Sequence, residues 1–202
     1  MIAYIQGKLT YKSPAQVVIE TNGIGYTLQI SLHTYSQIEA AENCKLFTHY
    51  YLSGGAKSTE YIPTLYGFAD EQEKIIFTEL ISVSGIGTNT ARLMLSAMSP
   101  QDIQRAILGN NIKMLQAIKG VGPKSAQRLV LELKDKLHKI ALPEANSAHV
   151  HNSFDEDALQ ALLALGISKN LALRSINKVH QDNKEINSVE ILLKEALKNL
   201  QQ

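Results

Sequence analysis

The apolar rhythm divides the chain into distinct stretches. Up to about Thr64, β-branched and aromatic residues fall in short runs with partial alternation: Ile2 and Tyr4, Gln16 to Thr21, Tyr26 to Ile30, and Lys45 to Leu52. A period of two turns one face of each run toward a core, which predicts strands. Asn22-Gly23 separates two of the runs and predicts a tight hairpin, since both residues tolerate positive φ. Ser31 to Ala40 reads as a short helix or turn, Ser53 to Thr59 as a loop, and Leu65-Tyr66-Gly67-Phe68 as the closing strand. Five or so short strands in about 65 residues suit a small closed barrel of the OB type. The barrel is therefore expected over residues 1–64.

From Asp70 to about Leu142 the period becomes helical. Asp70 with Glu73 three residues on resembles a capping box ahead of Ile75, Ile76, Leu80 and Ile81. Ser99-Pro100 marks another helix start, with proline at the first helical position. Residues 143–152 (Pro143 to Asn152) show no apolar periodicity and read as a linker. Residues 153–202 read as three amphipathic helices, the first ended by Gly166, the others opened by Ser168 and Ser188. Here Leu162, Leu165, Ile167, Leu192 and Leu193 are candidates for core or interface, with core expected for most. The whole is a multidomain chain of α and β structure, with an N-terminal barrel, a helical domain over 65–142 and a C-terminal three-helix bundle.

The helical domain contains a repeat. Sliding Glu79–Leu95 by 35 residues puts Leu80 on Leu115, Val83 on Ile118, Gly85 on Gly120, Ile86 on Val121, Gly87 on Gly122 and Ala91 on Ala126. Each copy reads as helix, G-x-G turn, helix: a tandem helix-hairpin-helix. Glycine permits positive φ and close approach of another backbone. The helix that follows begins with amides lacking intrahelical partners, at the positive end of its dipole. Together these favour an anion such as a DNA phosphate. The second copy adds Lys119, Lys124 and Ser125, with Pro123 where no N–H is needed. The first has no lysine at those positions and offers Ser84, Thr88, Asn89 and Thr90. The candidate DNA-binding residues are thus Ser84, Gly85, Gly87, Thr88 and Asn89, with Lys119, Gly120, Gly122, Lys124 and Ser125. A side chain at Gly120 is expected to clash with the turn or with an approaching phosphate. The plainer alternative, glycines that merely end a helix, does not account for the duplication. A dinucleotide fingerprint needs a strand before the turn, and Gly122-Pro123-Lys124-Ser125 lacks the Gly-Lys-Ser/Thr ending of a P-loop.

Charge sharpens the picture. The net charge is only +1, so any nucleic-acid surface must be local. Between Glu79 and Lys139 the bases Arg92, Arg105, Lys113, Lys119, Lys124, Arg128, Lys134, Lys136 and Lys139 face only Glu79, Asp102, Glu132 and Asp135. The single cysteine, Cys44, allows no internal disulfide, reads as core, and fits a reducing compartment or indifference to redox. With no apolar run long enough for a bilayer and no leader pattern, a cytoplasmic protein without a membrane partner is expected. His149 and His151 lack further ligands nearby, so neither metal nor cofactor is expected.

Taken together, MIAYIQGKL at Met1–Leu9, Gly23-Ile24-Gly25-Tyr26, Leu65-Tyr66-Gly67-Phe68, both hairpins, the linker and the terminal helices resemble the bacterial RuvA family over the full length. The resemblance implies a homotetramer that holds a four-way (Holliday) DNA junction open and square, with the barrel at its centre. It implies a non-catalytic subunit that recruits the hexameric ATPase RuvB through residues 153–202 for branch migration in recombination and repair, with the RuvC resolvase as a further partner. ATP hydrolysis then belongs to RuvB, in keeping with the missing P-loop. The family carries paired acidic residues, a pin, in the loop before Leu65. Here that loop is longer and holds only Glu60, with Lys57 nearby, so Glu60 is a candidate weakened pin, the alternative being an ordinary exposed loop charge. A structure-specific nuclease or generic repair protein is the alternative. It would need clustered carboxylates for metal, and Asp155, Glu156 and Asp157 cluster only at a helix start, where acids favour the dipole.

Overall fold

A computed structural model of the chain describes residues 2–53, 62–140, 154–181 and 188–199. It divides into two units, residues 1–144 and 145–202. In the first, β1 (Tyr4–Ser13), β2 (Gln16–Thr21), β3 (Ile24–Gln29), β5 (Ile62–Phe68) and β4 (Asn43–Ser53) close into a barrel in that spatial order. All neighbours are antiparallel except β3 and β5, which meet in parallel at Gln29 and Tyr66. Asn22 and Gly23, with φ of 50° and 79°, make the tight turn between β2 and β3. A helix, α1 (Leu32–Ile38), starts at Ser31, whose hydroxyl accepts from the Thr34 amide. The alternation expected of strands holds, with Ile5, Leu9, Val17, Ile19, Leu28 and Leu46 turned inward. Cys44 is half-buried beside this core, and burial pushes its thiol up to about 11.

Five helices follow: α2 (Glu71–Ser82), α3 (Thr88–Ala97), α4 (Pro100–Leu108), α5 (Ile112–Gln116) and α6 (Pro123–Lys139). Ser99 caps α4 with Pro100 in its first turn. The capping box at α2 is only half made. Asp70 accepts from the Glu73 amide at 2.7 Å, but the Glu73 carboxylate turns away and accepts from the hydroxyls of Ser31 and Thr34.

The fifth strand runs past the boundary placed at Thr64, and it serves two cores. Leu65 packs on the barrel interior, while Tyr66 and Phe68 join the helical core. On β4 Leu46 points into the barrel, and Phe47 and Tyr51 pack on the helices. Phe77 of α2 fits against this wall, with ring centroids 5.0 Å from Tyr66 and 4.9 Å from Phe68. Burial of a ring this size stabilises by about 1.5–3 kcal/mol.

The second unit holds α7 (Phe154–Ala164), α8 (Lys169–Gln181) and α9 (Val189–Asn199) around Ala158, Leu162, Ala172, Ile176, Val179, Leu192 and Ala196. Gly166, at φ 83°, ends the first turn region as the sequence implies, and the Ser188 hydroxyl accepts from the Ile191 amide at 3.3 Å. Leu162 and Leu192 are core, Ile167 and Leu193 are half-buried against it, and Leu165 is exposed.

Candidate nucleic-acid interface

The two G-x-G turns match in their backbone geometry. Gly85 and Gly120 have φ of +92° and +93°, a region that L side chains rarely enter. Ile86 and Val121 plug their own hairpins, buried, with amides donating to the Val83 and Ile118 carbonyls at 3.0 and 3.1 Å. Gly87 and Gly122 are the N-caps of α3 and α6, and no side chain caps either helix. The first intrahelical bonds run from Ala91 to Gly87 and from Ala126 to Gly122, each 2.9 Å. The amides of Thr88, Asn89 and Thr90, and of Lys124 and Ser125, precede these bonds and have no helical acceptor. Ser84, Gly85, Gly87 and Asn89, and Lys119, Gly120, Gly122 and Lys124, are exposed; Thr88 and Ser125 are half-buried.

The hairpins also lie against each other, with two-fold reciprocity. A Cβ on Gly85 would sit 3.9 Å from Ser125 Oγ, and one on Gly120 would sit 3.6 Å from Thr90 Oγ1. Thr90 and Ser125 are equivalent across the 35-residue repeat. These are ordinary contact distances. The obstacle to a side chain at Gly120 is thus its backbone angle, and the clash with the turn expected from the sequence is not there.

The basic excess sorts into separate roles. Arg105 pairs with Asp102 at 3.1 Å and Lys136 with Glu79 at 3.6 Å. Lys134 donates to the Asn110 side chain at 3.2 Å. Arg92 reaches the barrel, donating to Gln29 Oε1 at 2.6 Å. Lys119 and Lys124 stay exposed at the second turn. Arg128, on α6, crosses to the first turn and donates to the Ser84 carbonyl at 3.3 Å. The first hairpin, which has no lysine of its own, thereby receives a guanidinium from the second. Nothing local signals this contact beyond Arg128 lying on the hairpin's second helix.

One further cluster forms at the join of barrel and helices. Ligand-type atoms of His33, Asp70 and Glu73 lie within 4.8 Å of one another. The Glu73 oxygens are occupied by the Ser31 and Thr34 hydroxyls, so the group fastens α1 to α2. Burial raises the Glu73 carboxyl above its usual value, against the pull of those two donors. His33 is raised chiefly by its bond to Asp70, and Asp70 is lowered by His33 and the Glu73 amide despite its own burial. Glu60, Lys57, His149 and His151 lie outside the described residues. Among the described residues no helix is long and apolar enough to cross a membrane.

Barrel, paired hairpins and a separate three-helix unit define an OB-barrel protein of the tandem helix-hairpin-helix class. Family comparison agrees segment by segment: RuvA N terminal domain over residues 1–67, SAM-like helix-hairpin-helix tandem over 77–135, and RuvA C-terminal domain over 155–201. The chain is 44% identical over 200 residues to the Holliday junction branch migration complex subunit RuvA of Flavobacterium psychrophilum, covering 99% of this chain and 100% of that one. It is 42% identical over 203 residues to the same subunit of Cytophaga hutchinsonii, covering 98% and 99%. With the subunit of Bacteroides thetaiotaomicron it shares 40% over 210 residues, covering 99% and 100%. The chain belongs to the RuvA family.

Proposed function

We propose that this protein is the non-catalytic, junction-binding subunit of a Holliday junction branch migration complex. The observation that carries this reading is the pair of hairpins with matched positive-φ glycines and uncapped helix starts, held face to face. Each hairpin takes a backbone phosphate. Gly85, Gly87, Thr88 and Asn89 with Ser84 form the first site, and Lys119, Gly120, Gly122, Lys124 and Ser125 the second. Arg128 supplies charge to the first. Such contacts position a duplex without reading bases, so recognition follows the shape of the DNA.

Four copies assemble through the barrel (residues 1–64) around the crossover, and the hairpin domain (residues 65–142) grips the arms. Residues 153–202, tethered by 143–152, dock the RuvB ATPase, which hydrolyses ATP and moves the arms; RuvC acts on the same assembly. If each of eight hairpins neutralises one phosphate, log affinity falls against log salt with a slope of about −7.

The test is a gel shift at moderate salt with magnesium, comparing a synthetic four-way junction with linear duplex of the same sequence. The expected result is strong preference for the junction, indifferent to arm sequence. Equal affinity for both would reduce the protein to a generic duplex binder and refute the proposal.

A further inference from the structure

The basic residue Arg92 does not stand with the DNA-facing charges. It lies on α3, whose first residues carry the first hairpin, and its equivalent in the second copy, Gln127, is exposed. One nitrogen of its guanidinium, Nη1, donates to two acceptors on the barrel, Gln29 Oε1 at 2.6 Å and the Ala15 carbonyl at 3.2 Å. That carbonyl is itself held by the Ile30 amide at 3.0 Å. One turn further along the same face, Ser96 Oγ accepts from the Leu32 amide at 3.0 Å and donates to the Arg92 carbonyl at 2.8 Å. One face of α3 is thus fastened to three points of the barrel rim: the β1–β2 turn, the end of β3 and the start of α1.

We propose that Arg92 is a positioning residue that fixes the first hairpin relative to the barrel and thereby sets the preference for four-way over linear DNA. The inference rests on the junction-binding reading above. A hairpin needs only its own turn and helix start to hold one phosphate of a duplex. Choosing a junction requires more, because arm phosphates must be met at a fixed distance from the crossover. A planar guanidinium bonded to two barrel segments fixes position in a way that a single flexible contact does not.

The experiment uses the full-length protein and its Arg92→Ala, Gln29→Ala and doubly substituted variants. Affinity for a synthetic junction and for linear duplex is measured by fluorescence anisotropy over a series of salt concentrations, with a thermal melt of each variant. Loss of charge-assisted bonds of this kind should cost Arg92→Ala about tenfold in junction-to-duplex preference, with duplex affinity and salt slope unchanged. Gln29→Ala, whose side chain is on the barrel, should lose preference in the same direction, and the double variant should be no worse than Arg92→Ala. Parallel loss of junction and duplex affinity with a salt slope reduced by about one would mark Arg92 as a phosphate contact and overturn the proposal. Unchanged preference in Arg92→Ala would also overturn it. Should Arg92→Ala melt early, Gln29→Ala decides: retained preference there overturns the positioning role. Absence of junction preference in the unsubstituted protein is a different failure, that of the functional reading itself.

Discussion

Gly120 and Gly122 stand two residues apart, and a methyl group at each should have opposite consequences. At Gly120 the backbone has φ +93°, and the nearest atoms to a new Cβ are those of Thr90 at 3.6 and 3.7 Å. Space is sufficient, so the cost is conformational, about 1–2 kcal/mol for an L residue forced to positive φ. For a domain of this size that lowers the melting temperature by about 2–8 °C. At Gly122 the backbone is at φ −80° and ψ 171°, which any residue adopts, and nothing lies within 4 Å of a Cβ. The weaker N-cap preference of alanine and the reduced freedom of the unfolded chain offset each other, leaving stability within about 0.5 kcal/mol. That methyl nevertheless occupies the open space at the head of α6, where in the proposed site a phosphate would reach the Lys124 and Ser125 amides. Losing one hydrogen bond to a charged group costs about 1.5–3 kcal/mol, or roughly 10- to 100-fold in affinity. Thermal melts and junction-binding titrations of full-length Gly120→Ala and Gly122→Ala therefore separate fold from site. Gly120→Ala should melt early; Gly122→Ala should melt normally and bind poorly. Wild-type affinity in a normally folded Gly122→Ala would refute the phosphate cradle.

Other outcomes follow from the same geometry. Arg128→Ala should weaken junction and duplex binding together and reduce the salt slope, by about one per protomer if it meets a phosphate; an unchanged slope would confine Arg128 to its Ser84 contact. Glu73→Ala leaves two buried hydroxyls without their acceptor and should destabilise the first unit by on the order of 2–4 kcal/mol, read by chemical denaturation. The raised carboxyl of Glu73 favours the folded state most when protonated, below its ordinary 4.5, and that contribution is lost as pH rises through the folded value. As pH rises above its ordinary 4.5 the unsubstituted protein should therefore lose melting temperature relative to Glu73→Gln; parallel curves would refute the raised carboxyl. Removal of residues 145–202 should leave junction binding intact and abolish ATPase-driven branch migration, and loss of binding would make the second unit structural.

What was legible in the sequence was local. Asn22-Gly23, the cap residues Asp70 and Ser99, and the glycines of both turns each act on backbone within a few residues, so their positions could be read directly. The matched apolar plugs Ile86 and Val121 marked the repeat for the same reason. Long-range placement was not legible. Arg92 and Arg128 look alike as bases on hairpin helices, yet one bonds residues 63 and 77 positions away on the barrel and the other a carbonyl 44 positions away on the sister hairpin. Glu73 fits the capping spacing, but two hydroxyls brought in by α1 compete for its carboxylate and win. The boundary at Thr64 falls within a strand because alternation tells that the two faces of β5 differ, and cannot tell that both are covered from Leu65 onward.

The covering of both faces of β5 from Leu65 to Phe68 has a mechanical consequence. Barrel and hairpin bundle have no hinge between them where β5 is concerned: Leu65 belongs to one interior and Tyr66 and Phe68 to the other, on a single run of backbone paired along β4 from Phe47 to Ser53. A pull on the α2 end of the bundle should therefore load that ladder as well as the helices, because Phe77 of α2 rests on Tyr66 and Phe68. The unit should yield as one body under load, with its slowest-exchanging amide protons shared between β4 and α2.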